Sequence, residues 1–212
     1  MAAWAAALLA VAAGLLVAVP LPAVALEFED VALEGQLRFL AERPDPDAYR
    51  YDAVVQISPE SLSTGVVGIQ TCHRQLDPNQ RVVVQFNPQR VQAIEITDST
   101  GIGSARVEGM KVELAQVQRG ASVCIALRSR ALEQTAEGRW RLHAGPLMRR
   151  YLDGYLPMDA QLQLRWPAGL LEVQATQPAP QPGVRLSQHP EGAQLDLTFA
   201  GRMTATWELA RP

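Results

Sequence analysis

Alternation of apolar and polar side chains with a period of two is the feature that most constrains this chain. In such a segment every second side chain faces the same way, which is typical of a β-strand and not of an amphipathic helix. Clusters rich in Pro, Gly, Asp and Asn separate the segments. They are residues 51–57, 66–72, 81–86, 91–97, 104–107, 110–117, 121–128, 139–143, 158–166, 170–175, 184–188, 194–199 and 204–209. The pattern predicts an all-β protein.

The spacing of the turns predicts how the strands are organised. Turn signals recur about every 8–12 residues, which is typical of β-sandwiches. A polar stretch at residues 133–138 separates two sets of strands, so we expect domains at residues 26–134 and 139–212. Cysteines in the second and seventh predicted strands favour two consecutive immunoglobulin-like sandwiches, with a bridge crossing between two sheets.

Two segments do not show a clear strand pattern. Residues 33–41 fit a helix face and a strand, and we interpret them as a strand. One short helix is predicted around residues 146–153, because Pro146 suits the first turn of a helix and Gly154 suits its end.

The amino terminus has the composition of an export signal. Residues 1–26 are uncharged and almost wholly apolar, and Ala23 and Ala25 form an Ala-x-Ala cleavage site after two prolines. We therefore expect a signal peptide at residues 1–25 and a periplasmic or secreted protein. The alternative is an uncleaved anchor, since about 20 apolar residues span a bilayer, and only in that case do we expect membrane contact.

The two cysteines, Cys72 and Cys124, predict a disulfide, because oxidising compartments pair thiols. The alternative is a thiol-dependent redox protein using Cys72, which His73 and Arg74 follow directly.

Charge and motif content argue against several function classes. The net charge is −3 and Lys111 is the sole lysine, so no basic stripe favours nucleic acid. His73, His143 and His189 stand far apart without metal-ligand spacing, and no nucleophile elbow or phosphate loop occurs. We expect no metal, no cofactor, no catalytic residues and no enzymatic activity.

One segment is dense in side chains that anchor protein interfaces. Arginine and tyrosine are enriched at interface hot spots, and here they cluster within residues 149–158. The candidate interaction patch consists of Arg149, Arg150, Tyr151, Asp153 and Tyr155. The structural alternatives are an ion pair between Arg149 and Asp153 on a helix and packing of the tyrosines against the sandwich.

These observations favour a non-enzymatic exported binding or accessory protein that contacts another envelope protein. A second hypothesis is a periplasmic chaperone, since the expected size, export and architecture resemble the two-domain immunoglobulin-like chaperones of pilus assembly. Such chaperones complete a client's sheet with an alternating strand beside basic residues. Lys111, within residues 110–114, is the candidate for that role.

Overall fold

The computed structural model describes residues 36–42, 49–151 and 154–212, with only the backbone of Tyr151. The predicted signal peptide at residues 1–25 and Asp153 lie outside this part of the chain. The all-β prediction is confirmed. The strands are β1 Arg38–Phe39, β2 Arg50–Gln56, β3 Val66–Leu76, β4 Asn79–Gln85, β5 Val91–Glu108, β6 Lys111–Arg130, β7 Leu132–Ala136, β8 Arg139–Leu147, β9 Arg149–Tyr151, β10 Gly154–Leu156, β11 Met158–Arg165, β12 Glu172–Gln177, β13 Val184–His189, β14 Gly192–Ala200 and β15 Met203–Ala210, with helix α1 at Ser61–Thr64.

The strands form two large sheets and one hairpin. The main sheet runs β14-β11-β2-β3-β6, with β1 and β13 on the outer edge of β14. Strand β6 carries β5 along one edge and β3 and β4 in succession along the other. The second sheet has the order β12-β15-β8-β7, and β9 pairs with β10. Sandwich-like layering follows, because the apolar face of one sheet packs on that of the other.

The main sheet takes strands from both sides of the predicted boundary at residues 134–139. That boundary falls in the hairpin between β7 and β8, and β2 pairs with β11 in parallel. One core cluster likewise joins Val55 and Val67 to Leu162, Trp140 and Trp207. Strands of the two predicted domains thus lie side by side in one sheet and share one core.

The longest hairpin, β5 and β6, stays paired through two places where the sequence predicts a break between strands. Strands were predicted to end at residues 97 and 117, but β5 and β6 continue through both points, which corrects the sequence-based interpretation. The ladder shifts register there, because Thr100 pairs with Ser122 and Ile102 with Val117. A Cβ on Gly101, whose φ is +70°, would lie 3.1 Å from that of Ala121. The two strands therefore stay paired on both sides of this register shift.

A second core cluster is built from side chains of β3, β4, β5 and β6. Leu114 and Ile125 lie on β6, on opposite sides of the register shift, and both are fully buried in this cluster. Val82 and Val84 of β4 pack on that cluster but remain half-buried, since β4 lies at the edge of the sheet. Burying such a cluster stabilises the fold by about 25 cal/mol per Å² of apolar surface removed from water.

The predicted disulfide is present, but it joins neighbouring strands of one sheet. Cys72 of β3 and Cys124 of β6 are direct register partners with Cα atoms 4.1 Å apart. The bridge was expected to cross between two sheets, and this expectation is wrong. Side chains opposite each other on adjacent antiparallel strands are close enough to bond without help from a second layer.

The helix predicted at residues 146–153 is absent from the described part of that segment. Pro146 and Leu147 belong to β8, and Arg149–Tyr151 forms β9. The short helix lies instead at Ser61–Thr64, where the Ser58 hydroxyl accepts a hydrogen bond from the Ser61 amide. In the described residues, no helix is long and apolar enough to cross a bilayer.

Candidate interaction site

The predicted patch lies on the hairpin formed by β9 and β10. Arg150 pairs with Tyr155 and Arg149 with Leu156, while residues 152–153 at the tip lie outside the described chain. Directly opposite residues of an antiparallel pair share one face, so Arg150 and Tyr155 lie side by side. Arg149 faces the other way because successive residues of a strand alternate.

Arg149 fastens this hairpin to the body of the protein. Its guanidinium donates a hydrogen bond of 3.0 Å to the Pro157 carbonyl and forms an ion pair with Asp77, which follows β3. It also lies over the ring of Tyr49, with the guanidinium carbon 5.6 Å from the ring centroid. The side chain is only 17% exposed. Arg149 therefore supports the hairpin from below.

Beneath Arg149 lies a polar cluster of Tyr49, Tyr51 and His73, in which His73 is buried and the two tyrosines are half-buried. The Tyr49 hydroxyl is 2.6 Å from Nδ1 of His73, and the Tyr51 ring meets the imidazole at its edge, 5.1 Å between centroids. Burial lowers the pKa of His73 to about 4 and raises the pKa of Tyr49 and of Tyr51 above their usual value. All three side chains are therefore neutral near pH 7, and one short hydrogen bond joins the Tyr49 hydroxyl to the imidazole.

One atom of this cluster has no hydrogen-bond partner among the described residues. Nε2 of His73 is buried and unpaired there. Leaving a buried polar atom unpaired costs about 1–3 kcal/mol. This cost marks His73 as a residue whose position is imposed by the packing around it.

The opposite face of the hairpin is open to solvent. Exposure alternates from Met148, 38% exposed, through Arg149 to Arg150, which is exposed. Tyr155 is half-exposed beside Arg150. We define Met148, Arg150 and Tyr155 as the outer hairpin face. Met, Arg and Tyr are the residue types enriched where proteins meet.

The structure thus separates the predicted patch residues into different positions. Arg150 and Tyr155 come together on the outer hairpin face, whereas Arg149 anchors the hairpin with Asp77 as its partner. The side chain of Tyr151 and all of Asp153 lie outside the described chain. The predicted helix had placed Arg149 and Asp153 together, but Arg149 stands on a strand.

Sequence reasoning missed the residues that hold the hairpin in place. Tyr49 and Asp77 were not singled out, and His73 was considered only as a metal ligand or as a neighbour of Cys72. Their sequence positions give little signal, since Tyr49 and Asp77 flank strands and meet Arg149 only in the folded chain. Met148 lies one residue before the segment that was singled out, residues 149–158.

The alternative hypotheses find limited support in the geometry. Cys72 is bonded to Cys124, and the ring of its neighbour His73 turns to the inner side of the sheet and bonds Tyr49. Lys111 forms ion pairs with Glu108 and Glu113. It begins β6, which has strands on both edges and so no free edge there for a client.

The described residues contain no group of three or more His, Cys, Asp or Glu side chains arranged to hold a metal ion.

Comparisons with known proteins identify no family. No protein-family model matches the sequence, and no curated protein matches it. An M1 zinc metallopeptidase from Deinococcus radiodurans superposes over 82% of this chain with 11% identity and a TM-score of 0.37, and this chain covers 42% of it. The folded domain of LppM from Mycobacterium tuberculosis superposes over 77% of this chain and 89% of its own, with 17% identity and a TM-score of 0.33. Similarity this low gives this chain neither a family nor an activity.

Proposed function

We propose that this chain is an exported, non-enzymatic binding protein that contacts another envelope protein through the outer hairpin face. The proposal rests on the different positions of the side chains on the two faces of the β9 and β10 hairpin. Arg149 fixes the hairpin through Asp77, Pro157 and Tyr49, while Arg150 and Tyr155 form a pair on the solvent side. A fixed hairpin loses little conformational entropy when a partner binds, which favours affinity.

The outer hairpin face also indicates the chemistry of the partner surface. Arg150 gives this face a positive charge, which complements an acidic surface. Tyr155 and Met148 offer apolar area beside that charge. We therefore expect the partner to present an acidic side chain next to an apolar pocket.

Export is part of the proposal and rests on two observations. Residues 1–25 have the composition of a signal peptide, and the disulfide is of the kind that persists in oxidising compartments. Both favour a periplasmic or secreted location.

Site-specific photo-crosslinking in cells tests the proposal. A photoreactive amino acid replaces Tyr155 in one variant and Val107, exposed at the far end of β5, in the control. We expect a single dominant protein adduct from position 155 that is absent from position 107. Absence of an adduct at 155, or identical adducts from both positions, would contradict the proposal.

A further inference from the structure

In the described part of the chain, one edge of β4 is covered by no other strand, and the chemistry of this edge differs from that of the free edge of β5. Among the described strands β4 pairs only with β6, through a ladder without register shifts from Asn79 to Gln85. Its central residues are three consecutive valines, and Val83 is 45% exposed. A regular edge strand rich in β-branched residues is a template for pairing with a further strand.

The free edge of β5 is protected against such pairing between Val91 and Ile102. Its ladder shifts register between Val91 and Ala93 and again between Ile96 and Asp98, which places bulges in the strand. It also carries acidic side chains, among them Glu95 and Asp98. Bulges and charges are the usual devices that keep an edge from pairing. Strand β4 has neither a bulge nor an acidic residue between Asn79 and Gln85.

We propose that β4 is a self-association edge, on which β4 of a second copy of this chain pairs antiparallel across a two-fold axis at Val83. Such an interface is isologous, so each residue meets a partner fixed by the symmetry. Val83 stands opposite Val83 of the partner subunit, and Val82 stands opposite the partner subunit's Val84. Arg81 stands opposite Gln85 of the partner subunit. The sequence of β4 is thus self-complementary.

The charges around this edge are compatible with a second copy. Arg81 bonds Glu113 on the neighbouring strand at 2.6 Å, and Glu113 also bonds Lys111. No like charges meet across the axis, because Arg81 faces a neutral amide. Like charges directly opposite each other would destabilise a strand pair.

Apolar burial supplies the driving force on both faces of the sheet. Val83 would be covered on the outer face, and the half-buried Val82 and Val84 on the inner face. Their partners across the axis are also valines, and branched side chains pack well on neighbouring strands. One strand pair buries less area than a standard interface, so we expect a weak dimer, in the micromolar to millimolar range.

Analytical ultracentrifugation of the purified mature protein over that concentration range tests this inference. We expect reversible dimers that Val83→Lys weakens at least about tenfold, since two ammonium groups then meet at the axis. The substitution is tolerated by the monomer because position 83 is exposed and lies opposite Glu113. Val107→Lys is the matched control, since Val107 is 42% exposed on another strand, and it should leave the dimer unchanged.

A crosslink tests the register independently. Cys72 and Cys124 show that directly opposite residues of this sheet can bond. Val83→Cys should therefore give a disulfide-linked dimer on mild oxidation, and Val107→Cys should not. The inference is overturned if the protein stays monomeric over the whole concentration range. This is the result expected if β4 pairs with a strand of a different protein. Dimers that persist in Val83→Lys, or that Val107→Lys also abolishes, overturn it as well.

Discussion

The hydroxyl of Tyr49 and Nδ1 of His73 lie 2.6 Å apart, and this buried bond links the segment entering β2 to β3. Arg149 lies over the same tyrosine ring. The hairpin that carries the outer hairpin face therefore contacts the Tyr49 and His73 pair directly, through the Arg149 side chain.

Acidification should destabilise the protein through His73. Its folded pKa of about 4 lies below the value of about 6.5 for an unfolded histidine. Between these values the unfolded chain binds more protons, so the free energy of unfolding falls as pH is lowered from 6.5 towards 4. The slope reaches about 1.4 kcal/mol per pH unit. Urea unfolding at several pH values measures it.

The variant His73→Gln keeps a polar side chain near Tyr49 but cannot titrate, so it should flatten this slope. His189→Gln, at an exposed histidine, is the control and should retain the slope. Equal slopes in His73→Gln and the unmodified protein would refute the role given to His73.

Removal of the Arg149 side chain should loosen the hairpin. Arg149→Ala loses the bond to the Pro157 carbonyl, the ion pair with Asp77 and the contact with Tyr49. Bonds of a charged, largely buried group contribute about 1.5–3 kcal/mol. Thermal unfolding should show this loss, whereas Arg128→Ala at an exposed site of β6 should change stability by less than about 0.5 kcal/mol. Similar small effects of both substitutions would count against the anchoring role.

The disulfide should contribute strongly to stability. Cys72 and Cys124 are 52 residues apart, and closing a loop of that size constrains the unfolded chain by roughly 4 kcal/mol. The double variant Cys72→Ala and Cys124→Ala should unfold at a much lower urea concentration. Reductant should lower the midpoint of the unmodified protein to that of the variant and leave the variant unchanged. An unmodified protein insensitive to reductant would contradict this account.

Separate production of residues 26–134 and 139–212 tests the independence of the two predicted domains. Strand β2 lies between β3 and β11, so the first fragment lacks a neighbour that covers one edge of β2. We expect neither fragment alone to unfold cooperatively and the mixture to regain a transition. Two sharp transitions from the isolated fragments would show instead that each is a domain.

Local pattern was sufficient to predict most strands. The alternation at residues 110–117 and 121–128 corresponds to β6, whose buried side chains include Leu114 and Ile125. The separate strands predicted at residues 104–107 and 110–117 are joined in the observed hairpin, where Val107 pairs with Val112. Residues 33–41 were predicted as a strand, and within the described part β1 covers only Arg38–Phe39.

The predicted helix at residues 146–153 shows where local signals fail. Proline and glycine suited its ends, but a segment this short has little helical stability of its own. Pairing decided the outcome, because Leu147 pairs with Met203 and Arg149 with Leu156.

The pairing of strands that are distant in the sequence could not be predicted from the alternation of apolar and polar residues. Asp159 pairs with Arg50 although more than a hundred positions separate them, and alternation names no partner for either strand. The same holds for the site, since Tyr49, Asp77 and Arg149 meet only when these sheets form.

The most direct test of the central claim is the affinity of the crosslinked partner, purified and titrated against the folded protein. Arg150→Ala with Tyr155→Ala should weaken binding at least about tenfold, since hot-spot residues of these types contribute 2 kcal/mol or more. The matched pair Arg106→Ala with Val107→Ala, at the tip of the other hairpin, should bind like the unmodified protein. Unchanged affinity in the Arg150 and Tyr155 variant would contradict the claim that the outer hairpin face binds the partner.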